Sequence, residues 1–169
     1  MSSNIYLQKM RRSANVGLYG SIAVALVVIA FYYLSPYRFY LDDGTARFML
    51  LGGVVLAVLV IAMALLTVSR KPRQLRQLDS VEQRLQGYSS MVSSLYSTCL
   101  GCNAVLSTII LLSHNNLLLM FVLLTVVVLF MSYPNMYKVK VDTGLTHEQM
   151  RQLYGDDYHG DEEASHGNE

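Results

Sequence analysis

The chain has 169 residues, 53% of them hydrophobic and only 15% charged, against about 25% charged in a soluble domain. That deficit requires long stretches without charge and argues against a soluble globular fold. With a formal net charge of +1 and two cysteines, and no basic stripe interleaved with aromatics, neither nucleic-acid binding nor a disulfide scaffold is supported.

Crossing about 30 Å of hydrocarbon takes about 20 apolar residues at 1.5 Å rise each. Residues 1–13 carry Lys9, Arg11 and Arg12, and a first span is predicted over 14–34. Its core is too long for a cleaved leader. Its one small-residue triplet, Ala23-Val24-Ala25, sits inside that core rather than after it, so the helix is expected to be retained. A second span is predicted over 48–68. The loop between them holds Arg38, Asp42, Asp43 and Arg47. Trp being absent, Phe31, Tyr32, Tyr33, Tyr37, Phe39 and Tyr40 are expected to form an interfacial belt there.

Residues 69–90 read as a loop bearing Arg70, Lys71, Arg73, Arg76 and Arg84. Within it Leu75, Leu78, Val81, Leu85 and Tyr88 recur every three or four residues. That stripe predicts an amphipathic helical segment over about 72–88, lying on anionic headgroups or extending the third span. From Leu85 to Tyr137 there is no Asp, Glu, Lys or Arg. The polar cluster Ser113-His114-Asn115-Asn116 divides this run into predicted spans 91–112 and 117–133. Tyr133 and Tyr137 are expected to anchor the fourth helix, and Pro134 to end or kink it.

Residues 14–137 thus form a predicted transmembrane domain, followed by a segment over 138–169. There, Thr146-His147-Glu148-Gln149 fits a capping box and predicts a short helix through about Tyr154, closed by Gly155. From Asp156 the tail, with His159 and His166, is acidic, polar and expected to be disordered.

The spans are apolar on all faces, which predicts helices and not a barrel. The expected fold is an all-α membrane protein with four transmembrane helices. Four crossings collect eleven of the thirteen basic residues on one side, which places both termini in the cytoplasm. A bacterial inner membrane is the expected location, from the compact chain and the lack of a glycosylation sequon in its external loops.

Small residues allow helices to approach closely in lipid. The candidate packing residues are Gly17, Ser21 and Ala25 in the first span, and Gly53 and Ala57 in the second. The third offers Ser93, Ser97 and Gly101, beside them Ser94, Thr98 and Cys102, and also Asn103. On this reading the third helix lies inside the bundle and the fourth faces lipid.

The one motif with chemical potential is Cys99-Leu100-Gly101-Cys102. A dithiol needs access and a lowered thiol pKa, and mid-span burial denies both. No span contains an ionisable Asp, Glu, Lys or Arg, which argues against a proton- or ion-driven carrier. There is no phosphate loop, zinc spacing or serine elbow. No catalytic, cofactor or metal site is expected, and the protein is expected not to be an enzyme. The sequence favours an accessory or scaffold subunit acting through helix–helix and cytoplasmic contacts. Its expected partners are the lipid bilayer, copies or subunits joined through the third span, and a cytoplasmic protein. The alternatives are a small oligomeric channel or neutral-solute transporter and, third, a membrane thiol-disulfide oxidoreductase using Cys99 and Cys102.

Overall fold

The computed structural model describes residues 2–34, 41–113 and 115–155. Among them are six helices and no strand: α1 (Ser2–Leu34), α2 (Asp43–Leu75), α3 (Val81–Ser113), α4 (Leu117–Met131), α5 (Met136–Thr143) and α6 (His147–Tyr154). Three of these, α1, α2 and α3, are long and apolar enough to cross a membrane; α4 and α5 together make a fourth if the bent pair is one span. Tyr37, Phe39, Tyr40, His114 and the tail from Asp156 lie outside the described residues.

The first three helices are longer than the apolar stretches within them. Each has 33 residues, or about 50 Å, against about 30 Å of hydrocarbon. The surplus shortens the loop predicted over 69–90 and, of the two placements expected for its amphipathic stripe, matches the extension of the third span. α2 runs on through the buried Pro72 to Leu75, and α3 already begins at Val81. Only residues 76–80 lie between them. Gly87 does not break the helix. It makes room for Leu75: a Cβ at Gly87 would stand 2.5 Å from a Leu75 methyl. Arg84 Nε closes the turn by donating to the Leu78 carbonyl at 2.6 Å.

α3 is the hub of the bundle, touching α1, α2, α4 and α5. In its apolar stretch 44% of residues are buried, against 33% in α1 and 22% in α2. α4 is not the outermost helix. Its Leu118, Val122, Thr125 and Leu129 are almost fully buried, and it packs on α1, α2 and α3. The most exposed helix is α2, where only a narrow line of Gly53, Ala57, Val60 and Ala64 turns inward. Contacts set the directions. Ser13 meets Ser93, Gly17 meets Tyr96 and Gly20 meets Leu100, so α1 runs parallel to α3. Leu129 meets Tyr96 and Thr125 meets Asn103, so α4 runs antiparallel to it.

α4 ends at Met131, short of the predicted 133, and the chain bends by 80° into α5. Lys138 Nζ donates to the Met131 carbonyl at 2.7 Å, meeting an acceptor that the broken helix leaves unpaired. Asn135 caps α5 by accepting from the Lys138 backbone at 2.7 Å. α5 closes on Gly144 at φ 65°, a left-handed position suited to glycine. The Thr146–Gln149 capping box then forms in full and starts α6. Val139, Leu145 and Met150 join the same hydrophobic core as the long helices. The segment after α4 is therefore part of the bundle as far as Gly155, not a free appendage.

Two glycines make contrasting tests of this packing. A Cβ at Gly17 would lie 2.6 Å from the Tyr96 Cβ, whereas one at Gly52 meets nothing within 4 Å. Gly17→Ala is expected to destabilise the protein by about 1–3 kcal/mol through overpacking. Gly52→Ala is expected to stabilise it by about 0.5–1 kcal/mol through helix propensity. Thermal unfolding in detergent micelles reads both.

Candidate functional site

The small residues proposed for packing divide into two sets. Gly17, Ser21 and Ala25 are buried along one line of α1, and Gly53 and Ala57 along one line of α2. Gly53 accommodates Leu118, whose methyl would be 2.8 Å from an added Cβ. On α3 the outcome differs. Cys102 and Asn103 are buried and Ser93 is half-buried, its hydroxyl donating to Ser13 Oγ at 3.0 Å. Ser94, Ser97, Thr98 and Gly101 are exposed.

The face that α3 turns inward is instead large: Leu95, Tyr96, Cys99, Leu106 and Ile110. The physical reason is complementarity. The glycines of α1 are depressions, and a depression is filled by a bulky side chain, not by another small one. Tyr96 fills the space over Gly17, and Leu100 lies 3.1 Å from a Cβ at Gly20. A search for small residues on both partners misses this. The usable signal was Tyr96, a large amphipathic residue inside an otherwise Ser- and Thr-rich run.

What remains outward on α3 is a strip of small and hydroxyl-bearing residues: Ser90, Ser94, Ser97, Thr98, Gly101 and Ala104. A Cβ at Gly101 would meet nothing within 4 Å. The strip lies within the apolar part of the helix, and α1 and α2 occupy other faces of α3.

Cys99 and Cys102 are free thiols, buried at 1% and 5% relative exposure. They belong to the inward half of α3, so an external thiol or quinone has no direct approach to either sulfur. Among the described residues no group of three or more His, Cys, Asp or Glu gathers to hold a metal ion.

The basic end of the bundle carries the other polar features. Lys9, Arg11 and Arg12 of α1, Arg70, Lys71 and Arg73 of α2, Arg84 of α3, Lys138 and Lys140 of α5 and Arg151 of α6 sit here. The Tyr88 hydroxyl donates to Asp142 Oδ2 at 3.1 Å, joining α3 to α5. Arg84 Nη1 reaches the carbonyls of Thr143 and Gly144 at 3.5 and 3.4 Å. The Arg11 guanidinium lies 5.5 Å from the centre of the Tyr154 ring, joining α1 to α6. Burial raises the Asp142 carboxyl above its ordinary value, while donation from Tyr88 and the charges of Lys138 and Arg76 oppose the shift. Burial likewise raises the Tyr154 hydroxyl, against the pull of Arg11.

No protein-family model matches the chain, and neither does any curated protein or solved structure.

The raised Asp142 pKa has a definite sign. Its folded value exceeds the ordinary 3.8, so the folded state holds the proton more tightly than the unfolded chain does. The associated stability is complete below about pH 4 and is lost as pH rises through the folded value. Asp142→Asn keeps an oxygen that accepts from Tyr88 and cannot ionise. Thermal stability of the wild type is expected to fall relative to Asp142→Asn as pH rises from about 4 to 7. Parallel curves would contradict this.

Proposed function

We propose that this is a multi-pass membrane protein that acts by association, as a non-enzymatic accessory or scaffold subunit. The observation that carries the reading is the outward strip of α3. Hydroxyls facing lipid gain nothing there, whereas small residues let a second helix approach closely and give its polar groups partners. Ser94, Ser97, Thr98 and Gly101 then form the contact surface for another transmembrane helix. The exposed arc of α2 remains for lipid.

The basic end is assigned to the cytoplasm, with both termini on that side, by the same charge asymmetry that the sequence carries. On this orientation α5 and α6 form a cytoplasmic cap, and the acidic tail follows as a contact for a soluble partner. A bacterial inner membrane is the proposed setting. A second reading draws on the same strip: copies assembled around α3 would line a passage for a neutral solute with hydroxyls. The dithiol reading is the least supported, because both sulfurs are buried.

Native mass spectrometry of the detergent-extracted protein tests the association. A stable complex is expected, and Gly101→Leu is expected to release the partner while leaving thermal unfolding of the protein itself unchanged. A protein that runs as a monomer from its native membrane, or a complex indifferent to Gly101→Leu, would overturn the proposal. A symmetric homo-oligomer with solute flux in liposomes would favour the channel. Cys99→Ser with Cys102→Ser is expected to leave complex formation intact, as judged by the same spectra.

A further inference from the structure

α5 turns away from α4 by 80°, and its contacts fix the height at which it lies. α2 runs antiparallel to α3 in strict step, with Leu75 filling the space at Gly87 and Gly53 standing against Ile109. By that step Val68 is level with Ser94, and Gln74 with Tyr88. Met131 lies two residues past Leu129, which meets Tyr96, so α4 ends at the height of Ser94 and Val68. Asp142 of α5 accepts from Tyr88 and is therefore at the height of Gln74. From Met131 to Asp142 the chain moves about 9 Å along the bundle axis, where an unbroken helix would move about 16 Å. α5 lies across the bundle rather than along it.

The band between those two heights has a definite character. In it α2 passes from Val68 to Arg70, Lys71 and Arg73. α1, which keeps Ser13 beside Ser93, brings Lys9, Arg11 and Arg12 to the same band. All six are exposed and basic. A bundle whose surface changes there from apolar to cationic meets the phosphates of lipid headgroups at that height.

The two sides of α5 differ in kind. Val139 and Thr143 are buried without remainder, as α5 packs on α2 and α3. Tyr137 and Val141 lie on the opposite side, one turn apart, and are exposed to 68% and 40%. Phe130 and Met131, just before the bend, are exposed as well. A tyrosine has an apolar body and a polar tip, and it settles where hydrocarbon gives way to water. The bend does not leave a bare helix end in that boundary, because Lys138 Nζ donates to the Met131 carbonyl.

We infer that α5 is an in-plane interfacial helix, with Tyr137 and Val141 seated between the headgroups and the acyl chains of one leaflet. Its partner is the bilayer surface itself. This rests on the chain being a membrane protein and is independent of the association proposed for the outward face of α3.

Tryptophan fluorescence tests it, because the chain has no Trp and one introduced residue reports its own surroundings. The full chain is reconstituted in vesicles of phosphatidylcholine and phosphatidylglycerol. Tyr137→Trp and Val141→Trp are the probes, both at exposed positions where the new ring disturbs no packing. Gln83→Trp, exposed in the first turn of α3, is the water reference, and Leu124→Trp, exposed midway along α4, is the hydrocarbon reference. Quenching of both probes by aqueous acrylamide is expected to be about threefold or more weaker than at Gln83→Trp. Lipids brominated near the ester end of the chain are expected to quench the probes more than lipids brominated near its terminus, with the opposite order at Leu124→Trp. Acrylamide quenching equal to that of Gln83→Trp would overturn the inference. So would protection from acrylamide without quenching by either lipid, which would mean that protein covers α5, or a preference for the terminal bromines, which would mean that α5 is sunk in hydrocarbon. If Leu124→Trp also escapes both lipids, the membrane reading itself fails; if it alone is quenched, only the placement of α5 does.

Discussion

The ring of Tyr96 lies against the bare backbone of Gly17, and its hydroxyl reaches the Leu129 carbonyl, so one side chain holds α1, α3 and α4 at a fixed mutual height. In an apolar surrounding, association cannot draw on expelling water from apolar faces and depends on close fit and on polar groups finding partners. Tyr96 supplies both. The contacts around it follow from the height it sets: Ser93 with Ser13, Leu100 with Gly20, Asn103 with Thr125, and Tyr133 donating to Asn15 at 2.7 Å. Shifting α1 by a single residue would set a different side chain against the tyrosine and separate Ser13 from Ser93.

The same contacts explain how much of the fold was legible in the chain. Charge-free stretches are strong signals, because a charge in hydrocarbon is expensive at any position, and they located the apolar bodies of α1, α2 and α3. The Thr146–Gln149 box was legible because capping is local chemistry. The run from Arg70 to Tyr88 was legible in part: its stripe extends the third helix over 81–88, one of the two placements expected, whereas the continuation of α2 to Leu75 was missed because hydropathy detects where a helix becomes polar, not where it stops. Arg70 and Lys71 are compatible with a helix that continues into water. α5 went unseen because eight residues with two lysines carry little periodicity. Its position rests on Tyr88, Arg84 and Lys138, which are distant in sequence from the groups they meet.

Legibility of the candidate surface failed in an instructive way. The candidate packing residues of α1 and α2 point inward and four of those on α3 (Ser94, Ser97, Thr98 and Gly101) point outward, although all have the same composition signature. A single chain shows that a face is suited to close approach but not which helix approaches it. Where the partner is within the chain, a bulky residue such as Tyr96 or Leu118 must be found to complete the fit. For the strip at Ser94, Ser97, Thr98 and Gly101 no such residue stands opposite, and that asymmetry is the basis for assigning it an external partner.

The parallel pairing of α1 with α3 has a consequence for how the protein is made. Ser13 and its partner Ser93 are 80 residues apart, and at 5–20 residues per second the ribosome takes roughly 4–16 s to cover that distance. α1 ends at Leu34 and Tyr96 follows 62 residues later, so for roughly 3–12 s the first helix is complete while the tyrosine that fits its glycine does not yet exist. α2, the next helix to emerge, packs mainly on α3 and α4 and does not supply the missing surface. The nascent first helix therefore has to be held, by the insertion machinery or by its own solubility in lipid, until the third arrives to claim it.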